Sequence, residues 1–298
     1  MLNIKSIDRA IQTYSQTDDE SLKEGLAIFG TLTKKAAEIA TTLKSDDIVW
    51  TKDELMAALT GKATLLSTGK VKIDPSAFEQ ALKAMAASFI QAAQLPEDLR
   101  ELCESVEWSD YAVPALVEVA SKDPLKYMQA IEALSEDEDL LDVFIFPVVG
   151  SSLRAFLDIY ATQASREIDA LMPDTTHVER PVACPVCGCS AAIAAVVETQ
   201  HAGNVKRLYC TCCGADWKFE RIRCAICGDE AVSDLEYVHE DGDEKHRLHV
   251  CKSCGQTMPT VFAGEALGFS PDIEAIAMSR LEAYFDENHE AHEEAEKV

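Results

Sequence analysis

Four copies of one short pattern, Cys-x-x-Cys-Gly, constrain this 298-residue chain more than any other feature. They read CPVCG at 184–188, CTCCG at 210–214, CAICG at 224–228 and CKSCG at 251–255. Cys187 and Cys210 are separated by 22 residues, Cys227 and Cys251 by 23, and the third and fourth knuckles lie 40 and 41 residues after the first and second. Such spacing is that of a duplicated two-knuckle unit. Arg207-Leu208 before the second knuckle matches Arg247-Leu248 before the fourth.

Thiolate chemistry explains the interval. Two intervening residues let both sulfurs reach one ion from a tight turn, and the following glycine allows positive φ. A second knuckle on a β-hairpin closes a tetrahedral four-cysteine shell of zinc-ribbon or rubredoxin type, suited to zinc or iron. The duplication assigns Cys184, Cys187, Cys210 and Cys213 to one ion, and Cys224, Cys227, Cys251 and Cys254 to another. Pairing the middle knuckles, ten residues apart, would leave the outer two to meet across 63. A thioredoxin-like redox couple needs a helix after a βαβ pattern, which the sequence lacks here. A shell of four protein ligands is structural, because catalytic zinc keeps an open position. Metal binding here does not by itself mean catalysis, and no residue is expected to be catalytic.

Two thiols remain beside the first unit, Cys189 and Cys212. They are read either as small buried filler or as spare ligands or reactive thiols near positive charge. Cys212 also gives CTCC two registers, of which Cys210/Cys213 preserves the knuckle spacing. Cys103, among predicted helices, is expected in a core. Ten of the eleven cysteines fall between 184 and 254, a clustering that points to metal or redox chemistry rather than structural disulfides.

A net charge of −25 argues against broad nucleic-acid binding, which depends on neutralising phosphates. Residues 181–264 are nearly balanced, with 8 basic and 11 acidic side chains. Within them Lys206, Arg207, Lys218, Arg221 and Arg223 form a basic strip, read either as a solvated surface or as a docking face for an anionic partner. Trp217, after the second knuckle, is expected to cover the metal or pack between the units. The N-terminus lacks a signal peptide's apolar stretch. The longest apolar run, 140–150, is interrupted by Asp142 and Pro147, short of the ~20 residues that a spanning helix needs. A cytoplasmic location without membrane insertion is expected.

The first 180 residues read as helix. Asp74 and Pro75 open a helix with Phe78, Leu82, Met85 and Phe89 on one face. Thr51 and Glu54 form a capping-box signature. A helix from about 151 to 171 carries a stripe from Leu153 to Leu171, with Pro147–Gly150 before it. Past residue 180 the texture turns to short β-type segments between Cys-Gly turns. A last helix, 271–285, precedes an acidic tail expected to fray, whose His289 and His292 are adventitious metal ligands at most. The expected fold is α+β: a helical domain (1–178), two rubredoxin-like or zinc-ribbon modules (179–220 and 221–264), and a C-terminal helix with its tail (265–298).

CPVCG, RLYCTCCGADW, ERIRCAICG and HVCKSCG, in this order and at these intervals, resemble the formate dehydrogenase accessory (formation) proteins of the FdhE family. GSSLRAFLDIYATQA and PDIEAIAMSRLEAYF are similar to helices of that family. The resemblance implies a cytoplasmic maturation factor that binds the catalytic subunit of a molybdenum- or tungsten-dependent formate dehydrogenase before export. It implies metal ligation, by iron or zinc, at all eight knuckle cysteines, and it matches Trp217. Contact with the client is expected at Lys206, Arg207, Trp217, Arg221 and Arg223. The alternatives are rubredoxin-like electron transfer or thiol redox, and a zinc-ribbon nucleic-acid binder.

Overall fold

The computed structural model describes residues 2–44, 47–135, 137–171, 179–199, 203–263 and 269–296. The joints expected at 178/179 and 264/265, and the side chains of His289 and His292, lie outside the described residues.

Local capping sets the helical half. Asn3 caps Ile4–Thr13, Asp19 caps Glu20–Thr42, and Asp74 accepts from the Ala77 amide to start Pro75–Ala93. Thr51 and Glu54 make the full reciprocal box at the head of Lys52–Leu59: Thr51 Oγ1 accepts from Glu54 N at 3.2 Å, and Glu54 Oε2 accepts from Thr51 N at 2.7 Å. Thr51→Ala is expected to lower stability by about 1 kcal/mol, read as a shifted urea midpoint at unchanged slope.

The Pro75–Ala93 helix buries Phe78, Leu82, Met85 and Phe89. Phe78 meets Phe156 edge-on, 5.5 Å between ring centroids, which ties this helix to the central one, Phe146–Leu171. The central helix buries Leu153, Phe156, Leu157, Tyr160, Ala164 and Ile168, while Leu171, expected at the end of that stripe, is half-buried. The helix starts earlier than expected. A first turn at Glu138–Leu140, capped by Asp137, runs through a π-helical turn, Leu141–Ile145, and past Pro147 and Gly150 without a break. Proline ends a helix by lacking an N–H for the i→i−4 ladder. Next to a π-turn that ladder is already interrupted, so Pro147 costs little. The continuous segment Glu138–Leu171 is therefore long and apolar enough to cross a membrane by length and composition, and 67 % of its most apolar stretch is buried within the protein.

Six strands form one sheet: β1 (Ile193–Thr199), β2 (Gly203–Tyr209), β3 (Asp216–Phe219), β4 (Leu235–Val238), β5 (His246–Cys251) and β6 (Thr257–Ala263). The order is β3-β2-β1-β6-β5-β4. Each duplicated unit supplies an antiparallel three-stranded half, and the halves join head to tail through a parallel β1–β6 pair, with Ala194 opposite Thr260 and Ala195 opposite Val261. Alternation then sorts the faces. Ala194, Leu208, Trp217 and Met258 pack into the helical core, while Ile193, Leu248, Val250 and Val261 pack under Met278 and Leu281 of the C-terminal helix, Pro271–Glu296. That helix continues to Glu296, through the tail expected to fray. The tail is rich in Ala and Glu, both strong helix formers.

The C-terminal helix is latched by charge as well as by apolar contact. Buried Glu274 accepts from Tyr14 Oη, from Lys245 Nζ at 2.9 Å and from His246 Nε2 at 3.1 Å, while His246 Nδ1 lies 2.7 Å from Asp243. Only an imidazolium donates from both nitrogens. Burial lowers the His246 pKa, but the Glu274 and Asp243 carboxylates outweigh that and raise it. The same contacts hold Glu274 and Asp243 below their usual values against burial. The His246 contribution is thus complete below the unfolded value of about 6.5 and is lost as pH climbs through the raised folded value; the carboxylate contributions are lost in acid. Urea midpoints are expected to fall on going from pH 6 to 8.5, and His246→Gln is expected to flatten that fall.

Candidate metal centres

All four knuckles adopt one backbone design. In each the glycine amide donates to the first cysteine's carbonyl: Gly188 to Cys184 at 2.9 Å, Gly214 to Cys210 at 2.8 Å, Gly228 to Cys224 at 3.1 Å and Gly255 to Cys251 at 2.8 Å. In each the first cysteine's amide donates five residues ahead, to Cys189, Ala215, Asp229 and Gln256. The glycines hold φ between 71° and 87°, a region that strains any residue with a Cβ. Sulfur also receives backbone donors: Ala215 N lies 3.5 Å from Cys213 Sγ, and Ile226 N lies 3.4 Å from Cys224 Sγ.

Folding brings the knuckles together as the spacing requires. Cys184, Cys187, Cys210 and Cys213 form one tetrad, and Cys224, Cys227, Cys251 and Cys254 form the other, with all sulfurs of a tetrad within 4.8 Å of one another. Cys184 Sγ is 3.6 Å from Cys213 Sγ, and Cys187 Sγ is 3.5 Å from Cys210 Sγ. The second tetrad gives 3.9 Å for Cys224–Cys254 and 3.8 Å for Cys227–Cys251. A tetrahedral ion with metal–sulfur bonds near 2.3 Å separates its sulfurs by about 3.8 Å, so the donor sets fit one divalent ion each. Both zinc and iron take such a four-thiolate shell.

The two centres sit in different surroundings. The first tetrad is wholly buried and belongs to the helical core. Leu65 and Leu66, after the Lys52–Leu59 helix, donate to the carbonyls of Pro185 and Val186 at 3.1 and 3.0 Å, so the helical half cradles that knuckle. The second tetrad lies nearer the surface, with Cys227 exposed and Cys254 half-buried. Burial works against the Cys224 thiolate, but amides of Cys227 and Ile226 and neighbouring sulfurs bring its pKa down to about 7. In the first tetrad, hydrogen bonds from Cys184 and Cys187 hold Cys210 well below the ordinary thiol value.

A guanidinium packs over one glycine of each centre. Arg154 Nη1 donates to the Cys213 carbonyl at 3.3 Å, and a methyl on Gly214 would lie 1.9 Å from that nitrogen. Arg223 Nε donates to the Gly228 carbonyl at 3.1 Å, with Nη2 3.0 Å from the corresponding methyl position. Each arginine is itself paired with two carboxylates, Asp158 and Asp272 for Arg154 and Glu179 and Glu220 for Arg223, so its part at the centre is to hold the knuckle turn by hydrogen bonds. Arg154 is itself 5 % exposed and bridges Asp158 and Asp272. Burial opposes its charge, but Asp272 and Asp158 outweigh that and raise its pKa.

Of the basic strip, Lys206 and Arg223 are buried, Arg207 and Lys218 are half-buried and Arg221 is exposed. Lys206 is wholly buried, with Nζ 3.1 Å from His249 Nδ1 and 5.6 Å from the Phe219 ring centre; burial lowers its pKa to about 8. Arg207 pairs with Asp169 and Asp216, and Arg223 with Glu179 and Glu220. Trp217 is 1 % exposed and donates from Nε1 to the Pro181 carbonyl at 3.0 Å, packing between the helical half and the sheet. Of the five residues expected at a docking face, Arg221 alone is exposed. Cys189 and Cys212 are half-buried beside the first tetrad, their sulfurs within 4.8 Å of each other and of Cys187. Cys103 is buried in the helical core. Sequence reasoning missed Arg154 and Asp272, whose pairing spans 118 residues and leaves no local signal.

No protein-family model matches the chain. An FdhE homologue from Aquifex aeolicus is 26 % identical over 104 residues, 35 % of this chain and 37 % of that protein. One from Haemophilus influenzae is 24 % identical over 194 residues, 60 % of this chain and 61 % of that protein. The chain thus spans about a third of the length of the first relative and less than two-thirds of the second. The crystal structure of the FdhE protein from Pseudomonas aeruginosa superimposes with a TM-score of 0.59 at 15 % identity, over 96 % of this chain and 92 % of that one. The chain therefore shares the fold of that FdhE structure and is similar in sequence to FdhE homologues over up to 60 % of its length.

Proposed function

We propose that this chain is a cytoplasmic accessory factor in the formation of formate dehydrogenase, acting by binding rather than by catalysis. The observation that carries the reading is a pair of complete four-cysteine shells in a chain whose relatives are FdhE homologues. With four protein ligands per ion, each centre fixes shape and leaves no position for substrate. The working surface is then the exterior of the helical half and the two modules, and the client is the catalytic subunit of a molybdenum- or tungsten-dependent enzyme. Arg221 and its exposed neighbour Ile222 sit on the link between the modules and offer a charged and apolar contact. In the host lacking this chain, formate dehydrogenase activity is expected to collapse while the enzyme polypeptide persists. Tagged chain is expected to capture the catalytic subunit, less so with Arg221→Ala and Ile222→Ala. Unchanged activity in the deletion strain contradicts the proposal.

The exposed Cys227 favours a second reading, electron transfer through an iron-loaded second centre near the surface. A redox-silent, colourless zinc protein as isolated from the host eliminates it.

A further inference from the structure

Cys189 and Cys212 are not needed by the knuckles that flank them. Cys189 serves its turn through its backbone carbonyl, which accepts from the Cys184 amide. In the duplicated unit, 40 and 41 residues on, the matching positions are Asp229 and Ser253, and that unit forms the same turns. The two thiols are therefore additions to the first unit alone. Folding sets both sulfurs within 4.8 Å of each other and of Cys187, a tetrad member. Unlike that tetrad, they are half-buried. They open into a cavity of about 690 Å³ whose walls include Phe29, Leu125, Met128 and Phe146.

We propose that Cys187, Cys189 and Cys212 form a third thiolate site that takes one soft monovalent ion, copper(I), from the cavity side, with Cys187 bridging to the ion of the first tetrad. The group of three offers only sulfur. Soft thiolates select copper(I), whereas magnesium, calcium and manganese need oxygen ligands. The carboxylate that lines the cavity, Asp272, is already paired with Arg154, which leaves the thiols as its anionic donors. Arg154, at the cavity wall with Asp272, donates to the Cys213 carbonyl and so holds the chain next to Cys212 in place. Loading releases thiol protons to solvent and transfers no electrons. The site depends on the tetrad geometry and not on the proposed client.

The test uses the full chain holding its two resident ions, titrated without oxygen with copper(I) against a chromophoric copper(I) chelator. Copper and resident metal are both counted per chain. One copper retained per chain, with resident metal unchanged at two, is the expected result. Joint replacement Cys189→Ser and Cys212→Ser is expected to weaken retention at least 100-fold without loss of resident metal. Retention equal to that of the double variant, or release of one resident ion per copper bound, overturns the proposal. Iodoacetamide labelling of the unaltered chain supplies a reading independent of variants. Copper is expected to protect Cys189 and Cys212 by tenfold or more in rate, and equal labelling with and without copper overturns the site.

Discussion

Cys213→Ser is expected to remove one metal ion per chain and to destabilise the whole molecule, whereas Cys227→Ser removes one ion with a mainly local effect. Binding free energies of structural thiolate centres are on the order of 10–16 kcal/mol and appear directly as folding free energy. The difference lies in what each centre supports. The first tetrad is part of the helical core, and its knuckle is hydrogen-bonded to Leu65 and Leu66. Losing its ion leaves thiols buried among Trp217, Leu208 and the central helix. The second tetrad lies nearer the surface, with Cys224 and Cys251 buried but Cys227 exposed, so its ion chiefly orders β4 to β6. Amide hydrogen exchange reads this directly: Cys213→Ser is expected to raise exchange in the Pro75–Ala93 and Phe146–Leu171 helices, and Cys227→Ser to leave them protected. Equal loss of helical protection in the two variants would show that the centres are not structurally unequal.

Arg154→Leu is expected to cost about 3–5 kcal/mol, because removing one member of a buried ion cluster leaves its partners charged and unpaired. Asp158 and Asp272 are the partners, at 5 % and 14 % side-chain exposure. Asp158 keeps its contacts to the Leu2 amide. Asp272, in the first turn of the C-terminal helix, loses the Arg154 pairing that ties it to the central helix. The Cys213 carbonyl loses a donor at the same time. Arg154→Lys is expected to recover only part of the loss, since a lysine lacks the planar fork that serves two carboxylates. Adding Asp272→Asn to Arg154→Leu is expected to give back a fraction, as the uncompensated charge is removed. Urea denaturation of the unaltered chain, the two single variants and the double variant supplies the double-mutant cycle; additive losses would contradict a coupled cluster.

The two cysteine tetrads were legible because the chemistry that pairs them is local. A thiolate pair that shares an ion fixes its own spacing, and repetition of that spacing decides which knuckles pair. Helix starts were legible for the same reason: Asp74-Pro75 and Thr51 with Glu54 act within one turn. What the sequence hid was long-range. The edge-to-edge joining of the halves depends on β1 meeting β6, with no motif to announce it. The basic strip looked like a surface because composition does not reveal whether a cation has found a partner. Arg207 finds Asp169 on the central helix, Arg223 finds Glu179, and Lys206 is enclosed against His249 and Phe219. Helical continuity through Pro147 was equally hidden, since a π-turn is set by tertiary packing rather than by residue type.

Metal content of the chain purified from its native host, with every thiol counted, decides whether the two tetrads hold one ion each. Two ions per chain, zinc or iron, are expected, and one for each of Cys213→Ser and Cys227→Ser. Fewer than two ions in the unaltered chain, or loss of both on replacing a single tetrad cysteine, would contradict two independent four-cysteine centres.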